Sequence, residues 1–234
     1  MDGKEAAARF AVGLVKSGMT VGLGTGSTAT FAIQALSERI AAEGLQIRGV
    51  PSSERSRSLA QSLNIPLIEL ADPREIDMTL DGADEADPLF NLIKGGGGAL
   101  VREKIVASAS REVVIIVDAS KIKPALGGFP LPVAILPFGM SATLRRLEVF
   151  GTAITLRPDP AHPEQPFTTD DGLHIADVRL NAVTDPAQLE RAIKQTVGVA
   201  EVGLFIGIAT QIIVGHADGS VEVLRKTAPL NSAV

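Results

Sequence analysis

Along its first half this chain repeats one grammar: a short apolar run, a turn of glycine, serine or aspartate, then a segment with helical spacing. Residues 19–23 run into Gly24-Thr25-Gly26-Ser27-Thr28 and a helix over 29–43, stopped by Gly44. A strand at 46–50 precedes a polar helix from about 53 to 63 and a short strand at 67–70. Residues 77–80 enter an acidic turn, and a helix over 100–110 leads to the apolar strand 113–117, which ends in Asp118-Ala119-Ser120-Lys121. Strands alternating with helices predict an α/β fold, a Rossmann-like, mostly parallel sheet with helices on both faces. Ligands bind such sheets beyond the carboxyl ends of strands. The three chemically rich turns, after Leu23, Leu80 and Val117, all fall at such ends.

A helix over 4–17, with Ala7, Phe10, Leu14 and Val15 on one side and Gly18 as its stop, opens the chain. Near Gly127 the grammar changes. Strands at 131–136 and 153–156 flank a helix at 141–150, and a proline-rich loop leads to a hairpin around Asp170-Asp171-Gly172. The helix at 187–197 has Asp185 as N-cap, Pro186 at N1, Gln188 at N3 and Gly198 as its stop, and a strand follows at 199–205. The order β-α-β-β-α-β is that of a ferredoxin-like unit. The expected division is therefore 1–127 with 206–234 as a Rossmann-like catalytic domain, and 128–205 as a smaller α+β domain. Residues 211–225, with an Asp218-Gly219 turn, read as a β-hairpin.

Composition narrows the function. A formal charge of −5 gives no general attraction to nucleic acid or to an anionic membrane, so any anion must be held by local cations. The chain has no Trp or Tyr on which bases would stack. It also has no cysteine, which removes disulfides, thiolate nucleophiles and thiolate-bound metals. The N-terminus lacks the order of a signal peptide, and no apolar run approaches membrane-spanning length, so the sequence reads as cytoplasmic.

The chemistry concentrates between Leu80 and Lys104. Asp81, Asp84, Glu85 and Asp87 crowd one turn, followed by Lys94, four glycines from Gly95 to Gly98, and a helix carrying Glu103. Carboxylates this close repel unless a cation, a proton or a ligand separates them. Four glycines are costly to order, a cost that is tolerable where backbone N–H groups must approach something closely. The acidic run fits a solvated surface turn, a divalent-metal site of non-EF-hand spacing, or acid–base work on sugar hydroxyls. The Gly24–Thr28 turn fits a plain strand-to-helix connection or a small phosphate monoester. Glu103 fits either a solvated residue stabilising a helix N-terminus or a general base facing the glycines. The histidines at 162, 174 and 216 have no second ligand at metal spacing.

Together these residues resemble the ribose-5-phosphate isomerases of the A type. The likeness rests on GTGSTA at 24–29, DGADE at 81–85, KGGGGAL at 94–100, REK at 102–104 and DASK at 118–121, with FPLPV at 129–133 and VGLF at 202–205. It implies phosphate binding by Thr25, Gly26, Ser27 and Thr28, with Lys4 as a candidate on the phosphate side. It also implies a substrate site bordered by Gly82, Ala83, Gly95, Gly96, Gly97 and Lys121. Glu103 falls on the family's catalytic glutamate, Asp81 and Asp84 on its sugar-handling aspartates, and Lys94 on a site lysine. The resemblance implies a sugar-phosphate substrate, no metal or other cofactor, and a homodimer or larger homo-oligomer. Four glycines stand where the family commonly has three followed by alanine, a difference expected to be mild. The segment from Gly207 departs more. Two rivals remain. A sugar-phosphate sensor would carry a helix-turn-helix, for which there is no room before Lys4. An amino-sugar-phosphate isomerase or deaminase would use a similar sheet.

Overall fold

The computed structural model describes residues 3–70 and 76–226. Its larger sheet is built from β1 (Thr20–Leu23), β2 (Arg48–Pro51), β3 (Ile76–Gly82), β6 (Ser110–Asp118), β12 (Gln211–Gly215) and β13 (Val221–Arg225), in the order β13-β12-β6-β3-β1-β2. Every pairing is parallel except that of β12 with β13, so the C-terminal hairpin joins the sheet as an antiparallel edge. One face carries α1 (Gly3–Val12) and α2 (Ser27–Glu43) over a core of Val21, Leu23, Ile33, Leu36, Leu80 and Ile116. Gly44 ends α2 in the left-handed conformation at φ 67°, and the Ser53 side chain caps α3 (Glu54–Ser62) by accepting from the Ser56 N–H. On the other side, α4 (Leu100–Ser108) packs with Val106 against Val50 and Ile76.

A second, four-stranded antiparallel sheet contains β7 (Leu131–Ile135), β8 (Ala153–Leu156), β9 (His174–Arg179) and β10 (Val199–Val202), in the order β10-β7-β9-β8. With α5 (Met140–Leu147) and α6 (Pro186–Lys194) it forms the β-α-β-β-α-β arrangement expected from sequence. Asp185 caps α6 through the Gln188 N–H at 2.9 Å.

Several local expectations need correction. The first helix stops at Val12, because the Gly13 N–H is shared between the Arg9 and Phe10 carbonyls and the chain continues in tight turns to Val15. Its buried face is Ala6, Ala7, Ala8, Ala11 and Val12, and Phe10 is exposed. The expected strand at 67–70 reduces to a single bridge between Leu67 and Gly49, preceded by Pro66, which has no N–H to donate. The strand expected at 199–205 breaks at Gly203. Its second part, β11 (Leu204–Phe205), leaves for a small sheet with β5 (Leu92–Ile93) and β4 (Glu85–Ala86). That small sheet folds the acidic turn and the glycine run back over the ends of β1, β3 and β6.

Candidate active site

The ends of β1, β3 and β6 and the start of α4 enclose a cleft of about 110 Å³. Its walls are Lys4, the turn Thr25 to Thr28, Gly82 to Asp84, Lys94 to Gly97, Glu103 and Lys121. Every site residue singled out in the sequence borders this cleft except Asp81, which lies directly behind it and holds Lys94. A larger groove of about 470 Å³ lies between the turn before β8, the segment after β9 and α6, but its one ionisable wall residue, Asp185, is occupied in capping α6.

The acidic run divides by function once folded. Asp87 accepts from the N–H groups of Leu89 and Asn91 and from the Asn91 amide, and so closes its own turn. Glu85, 2% exposed, accepts from the N–H groups of Gly127 and Phe129 at 2.8 Å each, tying down the loop before β7. Asp84 is left to face the cleft, with Asp81 behind it. Asp81 Oδ1 accepts from the Thr25 and Gly82 N–H groups at 3.1 and 2.8 Å. A Cβ at position 24 would lie 2.2 Å from that oxygen, so glycine is required there. Asp84 Oδ2 accepts from the Gly96 N–H at 2.7 Å, and a Cβ at 96 would sit 2.5 Å from its other oxygen. Burial raises the Asp84 pKa, against the opposing Gly96 N–H and the Lys94 charge.

Lys94 is buried at the centre. Its Nζ lies 3.0 Å from Asp81 Oδ2, donates to the Gly82 carbonyl at 2.5 Å, and stands 3.5 Å from Glu103 Oε2. Burial works against its charge, but Asp81 and then Glu103 overcome that and hold its pKa above the usual value. Glu103 is 3% exposed because it falls on the buried stripe of α4, with Leu100 three residues before it and Val106 three after. The solvated alternative for this residue is thereby excluded.

Glu103 Oε2 has ion-pair proximity to Lys94 but no donor in hydrogen-bonding geometry. Burial, opposed by Lys94 and reinforced by Asp81 and Asp84, pushes its pKa up to about 8. The logic is a shortage of cations. One ammonium serves three carboxylates, Asp81 has the closest contact, and Glu103 is the one left to carry a proton. Its pull on Lys94 acts only once that proton is gone.

On the opposite wall, α2 begins at Ser27 after Gly26, which has φ 100° and supplies no capping side chain. The first N–H groups of a helix have no partner within it and favour an anion. Sequence reading offered three hydroxyls here, but the Thr25 hydroxyl is used elsewhere, bonded to Ser52 at 2.9 Å and Ser53 at 2.8 Å, with Ser56 at 3.3 Å. Ser56 in turn donates to the Gly24 carbonyl at 2.5 Å. This serine cluster, which fixes the turn from below, was missed in the sequence; its signal was the Ser52-Ser53 pair at the carboxyl end of β2. Lys4 reaches the cleft from α1 and lies 3.7 Å from Asp118. Burial would raise the Asp118 pKa, but bonds from Ser120 and the charges of Lys4 and Lys121 leave it lowered. Among the described residues no three His, Asp or Glu side chains converge as a cation site, and no helix is long and apolar enough to cross a membrane.

These features define an α/β protein with a buried acid–base cluster at the carboxyl edge of a parallel sheet. The family profile of Ribose 5-phosphate isomerase A (phosphoriboisomerase A) matches residues 48–219. Ribose-5-phosphate isomerase A of Cereibacter sphaeroides is 48% identical over 227 residues, covering 94% of this chain and 90% of that protein. The protein of that name from a Ruegeria species is 47% identical, over 94% and 86%. Among solved structures, ribose 5-phosphate isomerase A from Methanocaldococcus jannaschii superposes with a TM-score of 0.90 at 40% identity, over 95% of this chain and 98% of that one. A D-ribose-5-phosphate isomerase in complex with phospho-erythronic acid gives 0.91 at 34% identity, over 95% and 97%. The chain belongs to the ribose 5-phosphate isomerase A family, a family of isomerases.

Proposed function

We propose that the protein interconverts D-ribose 5-phosphate and D-ribulose 5-phosphate through a cis-enediolate, with Glu103 as the general base. The observation that carries this reading is the Glu103 carboxyl itself: buried, bordering the cleft, lacking a hydrogen-bond donor on Oε2, and with a pKa pushed up to about 8. A base working near neutral pH needs such a value.

The phosphate sits at the turn Gly26 to Thr28, met by helix N–H groups, the Ser27 and Thr28 side chains, and the Lys4 charge. Thr25 contributes through its backbone and methyl wall. Asp84, which borders the cleft, exchanges a proton with the anomeric hydroxyl and ring oxygen to open the sugar, and Asp81 behind it holds Lys94. Glu103 takes the proton from carbon 2 of the aldehyde. The carbon–hydrogen electron pair becomes the carbon 1–carbon 2 double bond, and the carbonyl electrons move onto oxygen 1. Returning the proton to carbon 1, while the oxygen 2 proton passes to oxygen 1, gives the ketose. Lys94 and the N–H groups of the glycine run face the charge that develops on the oxygens. A preorganised donor of this kind is worth about 10²–10³ in rate. Phospho-erythronic acid, bound by a structural relative, carries beside its phosphorylated chain a planar, anionic carboxylate that resembles the planar, anionic enediolate in shape and charge.

The reaction draws on no metal or nicotinamide. The division of the chain into 1–127 with 206–234 and 128–205, a homodimeric or larger assembly, and a cytoplasmic location belong to the same proposal. The test is an assay with ribose 5-phosphate in EDTA, following formation of ribulose 5-phosphate and exchange of the carbon 2 proton with solvent. Turnover with exchange supports the reading. No turnover, or turnover only on restoring a divalent cation, overturns it.

A further inference from the structure

The glycine run is held in place by a side chain from the other sheet. Arg157 follows β8 and reaches across to Gly95 and Gly96, donating from one terminal nitrogen to their carbonyls at 2.9 and 3.1 Å. Its remaining nitrogens are fixed by Asp177 on β9, at 2.8 Å through Nε and 2.5 Å through the other terminal nitrogen. The guanidinium is thus locked from behind by a two-pronged ion pair, with both side chains largely buried.

Peptide geometry converts this grip into an orientation. In a planar trans peptide the carbonyl and the following N–H point in opposite directions. Drawing the Gly95 carbonyl toward Arg157 turns the Gly96 N–H away from it, and that N–H is the one that binds Asp84 at 2.7 Å. Drawing the Gly96 carbonyl to the same guanidinium turns the Gly97 N–H away from Arg157, and Gly97 borders the cleft. Four consecutive glycines have little intrinsic preference for any one arrangement, so an external clamp has a large effect on which one is populated.

We propose that Arg157, locked by Asp177, is a positioning residue for catalysis: it sets the Gly96 and Gly97 amides so that Asp84 and the developing oxyanion meet preorganised donors. It touches no substrate atom. The inference deepens the isomerase reading and rests on it.

The test compares wild type, Arg157→Lys, Arg157→Ala and Asp177→Asn using three readouts: turnover of ribose 5-phosphate, inhibition by phospho-erythronic acid, and binding of inorganic phosphate. Lysine keeps the charge but loses the fork that grips two carbonyls and Asp177 together. A misplacement of about 1 Å in such a site lowers the rate by about 10². The expected result is a kcat reduced by roughly that factor in both Arg157 variants, phospho-erythronic acid binding weakened in step, and phosphate binding within about twofold of wild type, since the anion turn is untouched. Asp177→Asn should show the same pattern more weakly. If Arg157→Ala does not fold, Arg157→Lys decides. Folded variants with kcat within about twofold of wild type overturn the proposal, as does an equal loss of phosphate and phospho-erythronic acid binding. A wild type that does not turn over ribose 5-phosphate fails the isomerase reading instead, and the two failures are distinct.

Discussion

The position of Glu103 predicts how activity should follow pH, and replacing Asp81 by asparagine tests the cause. With its pKa at about 8, the carboxyl of the free enzyme is largely protonated at neutral pH. At pH 6 only about one molecule in a hundred carries the basic carboxylate, and at pH 7 about one in ten. The wild-type kcat/KM should therefore climb close to tenfold per pH unit from 6 to 7 and level off above 8. The substrate phosphate ionises near pH 6, below this limb, so the two are separable. Asp81 affects the limb in two ways: its charge disfavours the Glu103 carboxylate, and it holds Lys94 at 3.0 Å while Glu103 waits at 3.5 Å. Asparagine keeps an oxygen for the Thr25 and Gly82 N–H groups but removes the charge and frees the ammonium. The limb should then move down by about one unit or more, each unit corresponding to about 1.4 kcal/mol, although the maximal rate falls as Lys94 loses the carboxylate that positions it. The assay is initial rate at low substrate from pH 5.5 to 9 for both proteins. A wild-type profile flat between pH 6 and 8, or a limb that moves upward in Asp81→Asn, would refute the reasoning.

Other predictions concern stability and the structural carboxylates. Between the ordinary glutamate value of 4.5 and about 8, the folded protein holds a proton on Glu103 that the unfolded chain has released, so its stability falls as pH rises through this window. Glu103→Gln has no such proton, and its thermal midpoint should decline less than that of wild type from pH 5 to 8; parallel declines would contradict this. Glu85→Ala leaves the Gly127 and Phe129 N–H groups without their acceptor. It should cost about 1–3 kcal/mol per unpaired group in a denaturant titration, with kcat little changed in the folded protein. Gly98→Ala should be more harmful than the sequence alone implied. Gly98 has φ 85°, and a Cβ there would sit 2.5 Å from the Phe167 ring. A loss of about 1–3 kcal/mol is expected, partly recovered in Gly98→Ala with Phe167→Ala, and a neutral single variant would contradict the fit.

The sequence revealed the parts of the molecule whose signals are local. Strand–helix alternation, the Asp185 cap and the Gly44 stop lie within a few residues of the structure they cause. The cleft was legible too, because a parallel sheet gathers the ends of its strands on one edge. What escaped was pairing across distance. The two-residue strands β4, β5 and β11 are too short to show a period. Nothing near Thr25 says that its hydroxyl turns toward Ser52, Ser53 and Ser56. Nothing near Gly95 points to an arginine 62 residues further on. Glu103 lay between these cases: its place at the start of a helix was legible, but the sequence left it open between a solvated residue and a base facing the glycines, and its raised pKa depended on how one lysine is shared among three carboxylates.

The most direct measurement is turnover of ribose 5-phosphate by Glu103→Gln in EDTA, made beside binding of inorganic phosphate to the same protein. Loss of the base should lower kcat by about 10²–10⁴ or more, while phosphate binding stays within a few-fold of wild type. Near-normal isomerisation by this variant would remove Glu103 from the reaction.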